Sequence, residues 1–300
     1  MERTGGDQIS AFLVGGAAEL LRGRLVLAPG FETLRPTNRY ETLRGRLDGS
    51  LVIIYSTGKV VFDRSESIRR IIEEVAYSSL KEEGTILGSD EAGKGELIGP
   101  LVVAAVCLNP KQAAKLISWG VADSKVVPPD RIHELAQLIA RESMGHKVIS
   151  IPPLKFNSLY EAAAKQGKNL NDILAEAHSE AIRSVLEQVD APTIRIVVDE
   201  FDSTRSKKRL KIIEGISSGR QVSSTPRAEV VPSVAAASVL ARDGYLTWLE
   251  ENLDEEQIAK LKRGRFDIVK RASDMPRVYK TSYLNVTGRT TARETKSRKS

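Results

Sequence analysis

Two adjacent carboxylates, Asp90 and Glu91, stand in the stretch Gly88-Ser-Asp-Glu-Ala-Gly-Lys-Gly-Glu-Leu-Ile-Gly-Pro100, which runs straight into the apolar segment from Leu101 to Cys107. Neighbouring strand residues point to opposite faces. A buried Asp-Glu pair is costly unless a cation or the open end of a strand relieves it. The pair is therefore read as lying just past a strand over residues 85–88, at the mouth of a site. Gly93, Gly95 and Gly99 let a ligand approach the backbone, and Lys94 between two glycines suits a phosphate. The same residues also suit a glycine-rich hairpin with solvated charges. Asp199 closes the apolar run from Arg195 to Val198, and in α/β sheets sites form outside strand ends; a turn or capping aspartate is the plainer reading. Glu229 precedes a helix whose Ala235, Ala236 and Ala237 would let backbone approach backbone, although helix-end electrostatics alone also favour an acid there.

These side chains need a scaffold. From residue 85 onward, strands over 85–88, 101–108, 147–151 and 194–199 alternate with helices over 110–119, 129–141, 171–188, 233–242 and 244–253, with a further segment at 207–214. Such alternation argues for an α/β sheet layered by helices. Ahead of it, Ala18, Leu20, Leu21 and Leu25 recur at helical spacing and predict a helix within 9–27, ending before Pro29-Gly30. Three short strands follow over 40–47, 51–55 and 59–62, with turn chemistry at Asp48-Gly49 and Thr57-Gly58. Ser65 is placed to cap a helix over 68–80 with Ile68, Ile71, Ile72 and Val75 on one face. Lys81-Glu-Glu-Gly84 reads as a linker, and the segment from Thr287, rich in Thr, Ser, Arg and Lys, as a disordered basic tail.

The chain has 300 residues, 41% hydrophobic and 28% charged, which is the balance of a globular protein with a substantial core. No apolar stretch approaches the roughly 18 residues of a membrane span, and no signal layout opens the chain, so a cytoplasmic protein with no membrane partner is expected. The single cysteine, Cys107, excludes an intrachain disulfide and reads as a buried thiol. A formal charge of +6 suggests an anionic partner. Its distribution qualifies that: residues 1–80 carry 11 basic against 10 acidic side chains, and 286–300 carry 5 against 1. Any nucleic-acid surface on the body must come from local patches.

Five blocks, in order through about residues 85 to 245, resemble the type 2 ribonucleases H. They are Asp90-Glu-Ala-Gly-Lys-Gly95 with Gly99-Pro-Leu-Val-Val-Ala-Ala105; Gly120-Val-Ala-Asp-Ser-Lys125; Gly167-Lys-Asn-Leu-Asn171 with Ile173-Leu-Ala-Glu-Ala-His178; Val198-Asp-Glu-Phe201; and Ala228-Glu229 before Ser233-Val-Ala-Ala-Ala-Ser-Val-Leu-Ala-Arg242. Ribonuclease HIII is the nearer likeness, because Tyr55-Ser-Thr-Gly-Lys-Val-Val-Phe62 is similar to the TATA-binding-protein-like domain that precedes the catalytic domain there, and because the fourth acid is Glu229 rather than Asp. Gly93-Lys94-Gly95 is closer to the Gly-Arg-Gly of ribonuclease HII.

The resemblance implies a ribonuclease H-like central mixed sheet flanked by helices, preceded by a small α+β domain. It implies a substrate-gripping unit over 1–80, a catalytic unit over 81–286 and a tail over 287–300. It implies an endonuclease that cuts the RNA strand of RNA/DNA hybrids, leaving 5′-phosphate and 3′-hydroxyl ends. Asp90, Glu91, Asp199 and Glu229 would hold two Mg²⁺ or Mn²⁺ ions about 3.5–4 Å apart, a choice that suits oxygen-only ligands. Gly93, Lys94, Gly95, Ser124 and Lys125 would meet the substrate, with the 2′-hydroxyl marking RNA, and the protein would act as a monomer. One alternative is ribonuclease HII-like incision at single ribonucleotides, for which Tyr279 and Tyr283 are candidate junction readers; another is a non-catalytic nucleic-acid binder. His178 reads as a structural histidine with a supporting contact to the site as its alternative. Trp119 and Trp248 read as packing residues and Arg205 to Lys211 as a solvated helix face.

Overall fold

The computed structural model describes residues 8–13, 15–191, 193–199, 215, 220–225, 228–268 and 274–282. Ile9 and Ala11 are buried between exposed or half-buried neighbours, and this period of two makes Gln8–Phe12 a strand, β1. The helix expected within 9–27 is therefore shorter: Ala17–Val26, α1. The apolar spacing of Ile9 and Leu13 fits both periods, and pairing with a distant strand decides between them. Strands β2 (Phe31–Thr33), β3 (Glu41–Leu47), β4 (Ser50–Tyr55) and β5 (Lys59–Asp63) complete an antiparallel sheet of order β1-β5-β4-β3-β2. Helix α2 (Glu66–Leu80) follows; Ser65 occupies its N-cap position, yet its side chain makes no capping bond. Ile68, Ile72 and Val75 close over the sheet's inner face, while Ile71 is half-buried at its margin.

The second sheet holds β6 (Thr85–Ala92), β7 (Leu101–Leu108), β8 (Gly145–Ile151), β9 (Ile194–Asp199) and β10 (Val222–Thr225) in the order β10-β9-β6-β7-β8. It is mixed: β6 runs antiparallel to β7 and parallel to β9. Strand β6 does not stop at Gly88. Asp90 and Glu91 remain paired with Ala104 and Val103, so the acids lie inside the strand near its end. All eight residues of β7 are buried, as its unbroken apolar run requires of a central strand covered on both faces.

Helices α3 (Pro110–Ser118), α4 (Ile132–Glu142), α5 (Pro153–Lys165) and α6 (Leu170–Gln188) precede α7 (Pro232–Asn252), α8 (Glu255–Lys262) and the short α9 (Met275–Val278). Val102, Ala104 and Val106 meet α3, α4 and α7 on one face; Val103, Ala105 and Cys107 meet α5 and α6 on the other. The helices expected over 233–242 and 244–253 are one. Gly244 does not break α7, because a Cβ there would already be 3.3 Å from Val102, and its small size lets the helix lie on the sheet. The two sheets share a seam: Ala114 and Ile117 of α3 complete the core under the first sheet, and Arg64 donates to both carboxylate oxygens of Glu134 at 2.7 Å. The segments at 205–211, at 207–214 and beyond residue 286 lie outside the described residues.

Candidate active site

Asp90 and Glu91 project to opposite faces of β6, and helices of opposite character receive them. On one side, Gly88 permits α7 to begin against the strand: a Cβ there would lie 2.3 Å from the backbone of Ser233 and Val234. Ala235, Ala236 and Ala237, all buried, keep that approach close. Asp90 shares this face with the Ser238 hydroxyl. Burial, the charge of Glu91 and then that of Asp199 push the Asp90 carboxyl up to about 7, against the help of the Glu91 N–H, which donates to Oδ1 at 2.8 Å. Asp199 arrives on the neighbouring parallel strand, where Val198 pairs with Ser89. Its Oδ1 accepts the Ala228 N–H at 3.1 Å. That bond ties the single helical turn Ala228–Val230 to the end of β9, and the side chain of Glu229 within that turn lies outside the described residues.

On the other side, Ser89 and Glu91 face α6. His178 is fully buried there, its Nε2 3.3 Å from Glu91 Oε2 and its Nδ1 2.7 Å from Ser89 Oγ. Ser89 Oγ in turn donates to Ala104 O at 2.8 Å. Lys94 Nζ lies 3.4 Å from Glu91 Oε1. Burial pushes the Glu91 carboxyl up, but the His178 contact and the Lys94 charge outweigh it and hold it below the usual carboxylate range. His178 thus has the supporting contact weighed against a purely structural role, and nothing in its helical spacing disclosed Ser89 as its second partner.

The turn Gly93–Glu96 closes with the Glu96 N–H donating to Gly93 O at 3.2 Å. Its tip is Lys94-Gly95. Gly95 is exposed, its φ is not left-handed, and a Cβ there would meet nothing within 4 Å. Nothing inside the protein requires glycine at this position. Ser124 joins the α7 face: its Oγ is 2.8 Å from Ser238 Oγ, and Ser238 also reaches Asp123 Oδ1 at 3.4 Å. Lys125 is exposed, with Nζ 4.0 Å from Asp123 Oδ2. Ser238 and Asp123 are the site neighbours that motif spacing did not single out.

Tyr279 is turned away. It is buried, with its hydroxyl donating to Phe266 O and accepting the Ile268 N–H; Tyr283 lies outside the described residues. Trp119 packs at the core margin beneath the Arg69 guanidinium, 4.1 Å from its ring. Cys107 is fully buried, and burial pushes its thiol up to about 12, so it is inert.

Oxygen donors dominate the site, which suits Mg²⁺ or Mn²⁺. Among the described residues, no group of three or more His, Cys, Asp or Glu side chains is placed to hold a metal ion. What the described side chains show is uncompensated negative charge on the Asp90 face, the condition a divalent cation relieves. No helix among the described residues is long and apolar enough to cross a membrane.

A family model described as Ribonuclease HII matches residues 87–281. Ribonuclease HIII of Protochlamydia amoebophila is 30% identical over 244 residues, 76% of each chain. Ribonuclease HIII of Oceanobacillus iheyensis is 29% identical over 251 residues, 77% of this chain and 80% of that one. Among solved structures, the crystal structure of Bst-RNase HIII in complex with Mn2+ superposes with a TM-score of 0.53 at 21% identity, covering 91% of this chain and 94% of that one. Ribonuclease H2 from Pyrococcus horikoshii OT3 gives 0.50 at 22% identity and covers 66% of this chain against 93% of its own. The difference in coverage means that the fold of Bst-RNase HIII spans a larger share of this chain than that of the archaeal protein.

Proposed function

The chain belongs to the ribonuclease HII family of type 2 ribonucleases H, with ribonuclease HIII proteins among its relatives, and from that premise we propose how its residues cut the RNA strand of an RNA/DNA hybrid. The observation that carries the reading is the Asp90 carboxyl, raised to about 7 at the end of a central strand by burial and by the charges of Glu91 and Asp199. A structural acid would be supplied with cations or donors. Glu41, in the first sheet, has a side chain shielded from solvent and receives Thr37, Asn38 and Arg44. Asp90 lacks such a set among the described residues and is instead crowded by acids.

In this reading Asp90 and Asp199 hold divalent metal from adjacent strands, with Glu91 and Glu229 completing the set. Two Mg²⁺ or Mn²⁺ ions supply, when bound, an activated water and a stabilised leaving oxygen for in-line displacement at phosphorus. Glu91 stays ionised because His178 and Lys94 hold its proton off, so it is ready to ligate across the working pH range. Ser238 keeps Asp90 oriented and ties the Asp123-Ser124-Lys125 turn to the same helix. Lys125 then offers its ammonium to a phosphate. The Gly93–Glu96 turn presents bare backbone at Gly95 to the minor groove, where a 2′-hydroxyl distinguishes RNA, while Lys94 meets the strand's phosphate. Residues 1–80 form the unit that extends the grip, 81–286 the catalytic unit, and 287–300 a basic tail. The shared core through Ala114 and Ile117 of α3 joins that unit to the catalytic one. With Tyr279 engaged in its own core, junction reading by that residue is not part of the mechanism.

The test is cleavage of two labelled duplexes, a continuous RNA/DNA hybrid and a DNA duplex with one ribonucleotide, in Mg²⁺ and in Mn²⁺, beside Asp199→Asn. Cutting of the continuous hybrid alone, lost in the variant, is expected. Cutting of the single-ribonucleotide duplex would move the specificity to the HII kind, and hybrid binding without cutting would leave a binding module.

A further inference from the structure

Lys280 is the most deeply buried cation among the described residues, and the mechanism above does not use it. Its side chain is fully enclosed, with Nζ donating to Glu96 O at 2.7 Å and lying 5.8 Å from the Phe156 ring centre. Burial pulls its ammonium down to about 7 while the Glu96 carboxylate opposes the shift, so the residue sits where a lysine is expensive. A methionine would fill the same space without that cost. What this buried ammonium holds in place is therefore worth tracing.

The answer lies in the carbonyls of the segment that follows the acid pair. Glu96 O accepts the Lys280 ammonium, Leu97 O accepts the Lys280 N–H at 2.9 Å, and Ile98 O accepts the Tyr245 hydroxyl at 2.9 Å. The Gly99 N–H donates to Val278 O at 3.0 Å, and Ile98 forms a β-bridge with Tyr279. Asn157 of α5 braces the clasping segment from behind: Nδ2 donates to Pro276 O and Tyr279 O at 3.3 and 2.9 Å, and Oδ1 accepts the Thr281 N–H at 2.9 Å. Three of these contacts act on the main chain downstream of Glu96. The Lys280 side chain alone grips Glu96 itself, the closing residue of the turn whose tip is Lys94-Gly95.

We propose that Lys280 is a positioning residue that sets the height of the Gly93–Glu96 turn against the substrate, through its ammonium on Glu96 O, and that the 276–281 segment with Asn157 is the clasp that delivers it. The inference rests on the reading that this turn meets the RNA strand. It predicts a residue that governs substrate engagement from behind the turn, touching neither substrate nor metal.

The experiment measures steady-state cleavage of the continuous hybrid, Mn²⁺ binding by calorimetry and thermal melting for the full-length wild type, Lys280→Met and Gly95→Ala. Lys280→Met is expected to melt at or above the wild-type temperature, to bind Mn²⁺ unchanged, and to raise KM about tenfold with kcat held, because a displaced turn weakens substrate binding without touching the reacting atoms. An unchanged KM overturns the proposal. A joint fall of kcat, Mn²⁺ affinity and melting temperature overturns it too, in favour of a purely structural lysine. Gly95→Ala separates the two levels: if it raises KM and Lys280→Met does not, only the role of Lys280 fails; if neither does, the turn itself is not a substrate contact. Should Lys280→Met fail to fold, Asn157→Ala loosens the same clasp and is judged by the same split between KM and kcat.

Discussion

The two faces of β6 treat adjacent carboxylates in opposite ways. Toward α6, Glu91 finds His178 and Lys94 and is held below the usual carboxylate range; toward α7, Asp90 is pushed up to about 7 by burial, by the charge of Glu91 and last by that of Asp199, against the help of the Glu91 N–H and the Ser238 hydroxyl. One residue of displacement reverses the environment because the strand's period is two. The lesson is that a pair of neighbouring acids is not one feature. Glu91 has a lysine and a histidine beside it within the protein, whereas no ion pair reaches Asp90 among the described residues.

Substitutions on the two faces should therefore separate activity from stability. The largest effect is expected for Asp90→Asn and Asp199→Asn. Each should lower hybrid cleavage by about 10³-fold or more, since each removes charge that the reaction's electrostatics depend on. Metal-free melting of Asp90→Asn should rise, because a repelled, buried carboxylate is gone. His178→Leu, on the opposite face, should do the reverse to stability. It strands Glu91 beside an apolar side chain and should cost about 2 kcal/mol in urea melts.

The pH response sharpens the contrast. A folded carboxyl raised from 3.8 to about 7 binds its proton more tightly in the native state, so Asp90 lowers metal-free stability progressively as pH rises from about 4 to 7. The gain in melting temperature on adding Mn²⁺ should accordingly grow as pH climbs through 7 and the competing proton leaves. Glu91 has the opposite sign: its stabilisation is present above the ordinary glutamate value of 4.5 and is lost as pH falls through its lower folded value. The smallest effect is that of Gly95→Ala. Stability should stay within about 0.5 kcal/mol, while KM rises several-fold, which steady-state kinetics beside a melt would read.

Much of this was legible locally. The apolar runs of β7 and β9 and the Ile68, Ile72 and Val75 stripe of α2 announced themselves by period, and the acids of β6 and β9 by their place at strand ends. Illegible features depend on partners far along the chain. Ile9 and Ala11 form a strand because β5 lies beside them, and Gly244 stays helical because the sheet accepts it. Ser89 meets His178 across 89 residues, and Lys280 meets Glu96 across 184. No window of sequence contains both members of such a pair. The strand through Asp90 and Glu91 is longer than its own residues predict for a related reason: pairing with Ala104 and Val103 carries the ladder past residues whose own preference is for a turn.

The most direct measurement is a calorimetric titration of Mn²⁺ into the wild type and Asp90→Asn at pH 8, with melting curves taken on the same samples. The account predicts binding and a metal-dependent rise in melting temperature for the wild type, both lost in the variant, whose metal-free melting temperature is the higher of the two. Equal Mn²⁺ binding by both proteins would contradict the assignment of the Asp90 face as the metal site.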